Sequence, residues 1–204
     1  MRCLPLVLLV LAPALCAQGE QDTSPFSYMY LQGGFHQQQE RDTELKSSGY
    51  GLSASMAVGD HGFVDVGWSS TRTGQIDAGA VTGRLEFQTI SAGVGGHVPL
   101  GERADATASV SYILSRMRGL DGFRPDPTER DDGLAAALGV RYLPWRKLEI
   151  SAGPGYSYVG GTEGWDAAAG LSVEGVPGAW LDLGYWVAEY AEGWSISLRA
   201  PLGE

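Results

Sequence analysis

The chain has 204 residues, 30 of them glycine, and carries 24 acids against 14 Lys and Arg for a formal charge of −10. That acidity excludes a nucleic-acid partner, whose phosphates it would repel, and reads as solvation of polar loops. Cys3 and Cys16 are the only cysteines and both fall in the leading segment, so a disulfide framework and a thiolate metal site are excluded as well.

Arg2 and the apolar run from Leu4 to Leu11 form an export signal, too short to cross a bilayer as a helix. Small residues ending at Ala17 place peptidase cleavage there, so residues 1–17 leave and one domain of 187 residues remains. With Arg2 gone, 13 Lys and Arg face 24 acids, a balance of −11. The alternative is lipid on Cys16, but the bulky Leu15 before it is a poor fit to such sites. No later segment approaches the roughly 18 consecutive apolar residues of a membrane helix.

Residues 18–26 read as a flexible lead, and residues 27–200 as one β-domain, because two-residue alternation broken by turn signals replaces any 3.6-residue period. Ten strands are expected, with eight as the alternative count if two weak ones fail. The first runs from about Ser27 to Gln38 and the second from about Ser48 to Val58, where Tyr50, Leu52, Ala54 and Met56 oppose Gly51, Ser53 and Ser55. After the turn at Gly59 to His61, the third sends Val64, Val66 and Trp68 one way and Asp65, Gly67 and Ser69 the other. The fourth ends at Ile90, Ala92 and Val94, and the fifth, from about Ala104 to Arg116, opposes Val110, Tyr112 and Leu114 to Ser109, Ser111 and Ser115. Met117 to Asp131 is expected as the longest loop. The sixth carries Leu134, Leu138 and Tyr142, and the seventh Leu148, Ile150, Tyr156 and Tyr158, with Pro154 unable to donate to the ladder. The eighth carries Trp165, Leu171 and Val173, the ninth Leu181, Leu183 and Tyr185, and the tenth Trp194, Ile196 and Leu198.

Alternation alone does not separate a membrane barrel from a soluble sandwich, since both oppose an apolar face to a polar one. Here the polar face is mostly Gly, Ser, Thr and Ala, whereas a water-facing sheet usually carries many Lys, Glu and Arg. The two lysines, Lys46 and Lys147, both fall in connections. Small residues suit the confined interior of a closed sheet. Connections near Asp60, Glu102, Trp145 and Pro177 are short, while those near Arg41, Gln75, Arg124, Thr162 and Tyr190 are mostly longer, the pattern of an up-and-down barrel with periplasmic turns and outer loops. Nine aromatics, Tyr50, Trp68, Tyr112, Tyr142, Tyr156, Tyr158, Trp165, Tyr185 and Trp194, share the apolar parity, as rings at a membrane boundary do.

Tyr28 to Phe35 (YMYLQGGF), Gly49 to Trp68, Ser91 to Leu100 and Leu138 to Pro144 together resemble the small outer-membrane β-barrel proteins of the OmpA/OmpX type. The resemblance covers nearly the whole mature chain, through pattern motifs rather than a diagnostic signature. It implies an exported, outer-membrane, all-β, up-and-down antiparallel barrel, with outer-membrane lipid and the barrel assembly machinery as partners. Such proteins often end in an aromatic residue that the machinery reads; this chain finishes Leu202, Gly203, Glu204, a departure that bears on assembly.

No cofactor or metal site is expected. The acids from Asp121 to Asp132 are interleaved with Arg124 and Arg130, unlike a calcium loop. Some barrels of this kind resemble outer-rim hydrolases, for which His36 is the one candidate, with Asp42 or Glu44 to orient it and Ser47 or Ser48 as nucleophile. His61 and His97 fall on the periplasmic side. No nucleophile elbow, zinc helix or phosphate loop supports catalysis, so the expectation is a non-enzymatic protein. The inward charges are more informative: Asp65, Asp105, Glu149, Glu174 and Asp182 with Arg141 and Arg199 share the small-residue parity toward the periplasmic end, a formal −3. Enclosed charges must be paired or hydrated, giving either a stabilising ion network or a cation-favouring constriction. The readings are thus a structural or surface barrel, then a narrow pore, then a soluble secreted β-domain that binds a ligand; oligomeric state stays open.

Overall fold

A computed structural model describes residues 25–78, 81–120 and 130–202. The expected signal segment and most of the lead lie outside these residues. Eleven antiparallel strands follow one another: β1 (Tyr30–Glu40), β2 (Lys46–Val58), β3 (Gly62–Thr73), β4 (Ile76–Ala78), β5 (Val81–Pro99), β6 (Ala104–Leu120), β7 (Arg130–Trp145), β8 (Leu148–Val159), β9 (Thr162–Val176), β10 (Ala179–Ala188) and β11 (Ala191–Pro201). All but β4 are staves of one closed barrel, sealed where Tyr30 to Glu40 pair with Pro201 to Ala191 and where β3 pairs with β5. The short β4 pairs with the start of β5. Closure gives every stave two neighbours and leaves no open edge, which is what a sheet in lipid requires. The ten-stranded up-and-down barrel expected from the alternation is therefore the observed fold.

Parity decides which solvent each face meets. Leu138, Leu198, Val94 and Val110 stand exposed on the outer wall, and among the described residues the buried apolar side chains are Phe26 and Tyr28. A soluble β-domain would bury its Leu and Val; this one turns them outward in a continuous band, which only lipid can cover. Eight of the nine aromatics expected there, all but the half-buried Tyr156, rank among the exposed residues. Phe35 packs against Tyr50 and Trp194, at 5.5 and 5.6 Å between ring centroids, and Tyr156 packs on Trp165 at 4.8 Å.

Three stretches differ from expectation. The first strand starts at Tyr30 rather than Ser27, the link after the third holds β4, and β6 and β7 extend to Leu120 and Arg130, into the segment expected as loop. The reason for the last is that alternation continues through Met117 and Arg118, whose partners are Phe87 and Glu86. At the end holding both chain termini, glycines with positive φ, Gly59 (+61°) and Gly178 (+74°), turn the chain. At the other end Gly160 and Gly161 (+60° and +80°) make a two-residue turn, the geometry whose twist matches a hairpin. That connection and the one between Ala188 and Ala191 are shorter than the earlier ones at that end. Opposite Pro154 the ladder is interrupted: Gly133 to Ala137 pair with Val159 to Gly155, and pairing resumes only at Val140 with Ala152.

Candidate functional site in the barrel interior

The interior near the chain termini is filled from the lead inward. Tyr28 enters the lumen before β1 begins and stacks on His97 at 4.1 Å and on Phe63 at 5.2 Å. Phe63 fits because the facing residue is Gly95; a Cβ there would meet its ring carbons at 2.6 and 2.8 Å. The Tyr28 hydroxyl donates to Asp105 Oδ2 at 3.0 Å, and His97 Nδ1 lies 3.2 Å from the same oxygen. Asp105 and His97 are almost fully buried. Burial pushes the Tyr28 phenol well above its ordinary pKa, so it stays a donor to the carboxylate.

Beside this stack runs an ionic layer. Arg141 donates through Nε and Nη2 to Glu149, both at 2.9 Å, while its guanidinium lies over the Phe26 and Tyr28 rings at 4.5 and 4.9 Å. Planar guanidinium suits both contacts at once. Arg199 Nη2 bridges Glu149 Oε2 at 3.0 Å and Asp182 Oδ1 at 3.2 Å. The other Asp182 oxygen accepts from Gln32 Nε2 at 3.0 Å, which also reaches Ser197 Oγ at 2.7 Å. The layer ties β1, β7, β8, β10 and β11 across the lumen, where the backbone ladder joins only neighbours.

Of the seven inward charges, the structure brings together Asp105, Arg141, Glu149, Asp182 and Arg199. Asp65 faces inward against Gly93, where a Cβ would come within 2.8 Å of its Oδ2, and among the described residues it makes no ion pair. Glu174 sits at the rim and accepts from the Gly178 amide at 3.2 Å, closing its own turn. The sequence reading did not name Phe26, Tyr28, Phe63, His97 or Gln32 as members. His97 carried a signal, since it shares the inward parity of Gly93 and Gly95 and faces Thr107, two residues from Asp105.

Beyond the layer the lumen opens. A cavity of about 460 Å³ borders Arg141, Asp166, Asp182 and Arg199, and a second of about 300 Å³ is lined by Gln32, His36, Ser53, Ser69, Thr89 and Ser195 among others. His36 Nε2 meets Thr71 Oγ1 at 2.7 Å, beside Gly49, where a Cβ would crowd the ring at 2.8 Å. Among the described residues no carboxylate bonds to His36; Thr71 takes the place that Asp42 or Glu44 was considered for. No group of His, Cys, Asp and Glu among the described residues is arranged to hold a metal.

A closed, lipid-facing barrel with a filled base and hollow upper lumen defines the class. The chain belongs to the outer membrane protein beta-barrel domain family, whose model matches residues 7–174. Among solved structures, it is similar to the β domain of the Bordetella autotransporter BrkA, at 13% identity and TM-score 0.53 over 87% of this chain and 100% of that one. It is also similar to the NanC porin, at 9% identity and TM-score 0.50 over 85% and 100%. Neisserial surface protein A aligns over 86% of this chain and 98% of its own at 16% identity and TM-score 0.47. The likenesses to the BrkA β domain and the NanC porin speak to fold alone. By sequence the chain matches no curated protein. The outer-membrane barrel and localisation implied by the resemblance thus stand.

Proposed function

We propose that this is a non-enzymatic barrel with a structural or surface role, its termini and base facing the periplasm, and closed to ions by its own N-terminal residues. The observation that carries the reading is the seat of Phe26 and Tyr28, each 4% exposed, under Arg141 and against Asp105. A conducting constriction needs hydrated charges; here Glu149 spends both oxygens on arginines and Tyr28 covers Asp105. Lipid and the assembly machinery are the expected partners, and cleavage after Ala17 delivers the mature chain.

Planar-bilayer recordings test it. The parent is expected to be silent, and the double variant Phe26→Ala, Tyr28→Ala to give steps of current. Steady cation current in the parent would replace this reading with the narrow pore. Orientation is read separately, because the proposed mature chain has no cysteine: Thr43→Cys should label in intact cells, and Asp60→Cys only after permeabilisation.

A further inference from the structure

The outer wall at the loop end carries charge where the rest of the wall is apolar. Along the outward parity, Trp68, Ile90 and Leu114 are followed by Arg72 on β3, Glu86 and Arg84 on β5, Arg116 and Arg118 on β6, and Arg130 on β7. Register sets them side by side: Arg72 opposes Glu86, which opposes Arg118, and Arg116 opposes Arg130. Glu86 accepts from Arg72 Nε at 3.0 Å and from Arg118 Nη2, yet the two arginine side chains remain 64% and 57% exposed. Asp132 is engaged by the Tyr112 hydroxyl at 2.7 Å. Arg72, Arg116, Arg118 and Arg130 against Glu86 and Asp132 give a formal +2 among these described residues, on a chain of −10.

Like charges directly opposite on a sheet face are destabilising, so Arg116 facing Arg130 calls for an anion between them. Guanidiniums bind phosphate oxygens through paired N–H donors. Lower on the same wall, a groove of about 540 Å³ is bordered by Val94, Ala108, Val110, Ala136, Leu138 and Tyr156. Ala108 pairs with Leu138 and Val110 with Ala136, so small and large residues alternate on the diagonal and leave a trough, deepened where Pro154 interrupts the ladder. Arg116 to Val110 is about 20 Å along the strand, which at a barrel tilt of about 40° is roughly one leaflet of depth.

We infer that this wall binds one phosphate-bearing lipid of the outer leaflet, its phosphates on Arg116, Arg118 and Arg130 and an acyl chain laid down β6 into the groove. The leaflet rests on the orientation given under the proposed function, but binding in detergent does not, so the two fail separately.

The full chain, folded in neutral detergent, is titrated with diphosphoryl lipid A, with its dephosphorylated form and with inorganic pyrophosphate, and bound species are counted by native mass spectrometry. Diphosphoryl lipid A is expected to bind tightest. The double variant Arg116→Gln, Arg130→Gln should weaken it by about tenfold or more, the loss of one charge-assisted hydrogen bond at least. Ala136→Leu fills the groove, and should weaken the lipid while leaving pyrophosphate unchanged; its outward position keeps folding intact, shown by heat-shifted gel migration. Equal binding of the dephosphorylated lipid, an unmoved double variant, or pyrophosphate as tight as the lipid would each overturn the proposal.

Discussion

The two ends of the barrel handle charge in opposite ways. At the base, Arg141, Arg199, Glu149 and Asp182 point inward, with the arginine side chains 12% and 10% exposed, while at the loop end Arg72, Glu86 and Arg118 point outward with both arginines more than half exposed. The same chemical pair therefore sits in two dielectrics. Inside, attraction is strong and a lost partner strands a buried charge; outside, water screens the pair and leaves its donors available to others. The lesson is that an ion pair's role follows from what surrounds it: one locks the lumen and the other displays charge.

The largest effect expected is from Arg199→Ala. It leaves Asp182 with Gln32 alone and takes one of two cations from Glu149, a change that at buried pairs costs about 3 to 5 kcal/mol. Urea unfolding in detergent, followed by tryptophan fluorescence, reads it. An effect within the noise would mean that the base is as wet as the rim, and the contrast between the ends would disappear.

Next comes Tyr28→Ala, which removes a ring packed between His97 and Phe63 and the donor to Asp105. Deleting a buried aromatic costs about 3 kcal/mol or more, seen as a lower temperature at which the folded band is lost on a gel. If stability holds but current appears, the segment is a removable stopper; if both hold, it plays no part in closing the base.

A smaller gain is expected from Pro154→Ala. Alanine restores an N–H where the ladder between β7 and β8 is interrupted, and a net hydrogen bond adds about 1 kcal/mol. The measurement is the same unfolding curve, shifted to higher urea. A loss would show that the irregularity is set by Gly153, whose added Cβ would come within 2.8 Å of Gly139.

Legibility in the sequence followed range. Alternation is local, so the strand faces, the closed fold and the inward parity of Asp105, Arg141, Glu149, Asp182 and Arg199 could be read from neighbours two residues apart. What alternation does not carry is which charges meet. Asp105 and Arg141 sit opposite each other on β6 and β7, yet Arg141 pairs with Glu149 and Asp105 with Tyr28, 77 residues away. Phe26 was beyond reach because it fell in the lead, which has no strand to give it parity, while Tyr28 fell within the expected first strand but meets Phe63, His97 and Asp105 far along the chain. Arg118 and Arg130 misled in a simpler way: the stretch from Met117 to Asp131 looks like a loop, but the ladder continues at both of its ends as long as backbone partners exist.

The smallest effect, and the one that most sharpens the comparison, is from Glu86→Gln. Glu86 is 2% exposed, as covered as Glu149, so burial of the carboxylate alone would forecast a loss as large as at the base. It is held by two arginines, however, and their exposure puts water against one partner of each pair. Exposed pairs contribute about 0 to 1 kcal/mol, so stability should fall by less than about 1 kcal/mol in the unfolding curve. Removing that carboxylate also raises the patch by one positive charge, so binding of diphosphoryl lipid A should tighten rather than weaken. A loss matching that of Arg199→Ala would place Glu86 in a dry environment and move the boundary of the bilayer above it. A weakened lipid would instead mean that Glu86 matters more as the post that holds Arg72 and Arg118 than as a competing anion, a distinction that Glu86→Asp, which keeps the charge and shortens the reach, resolves.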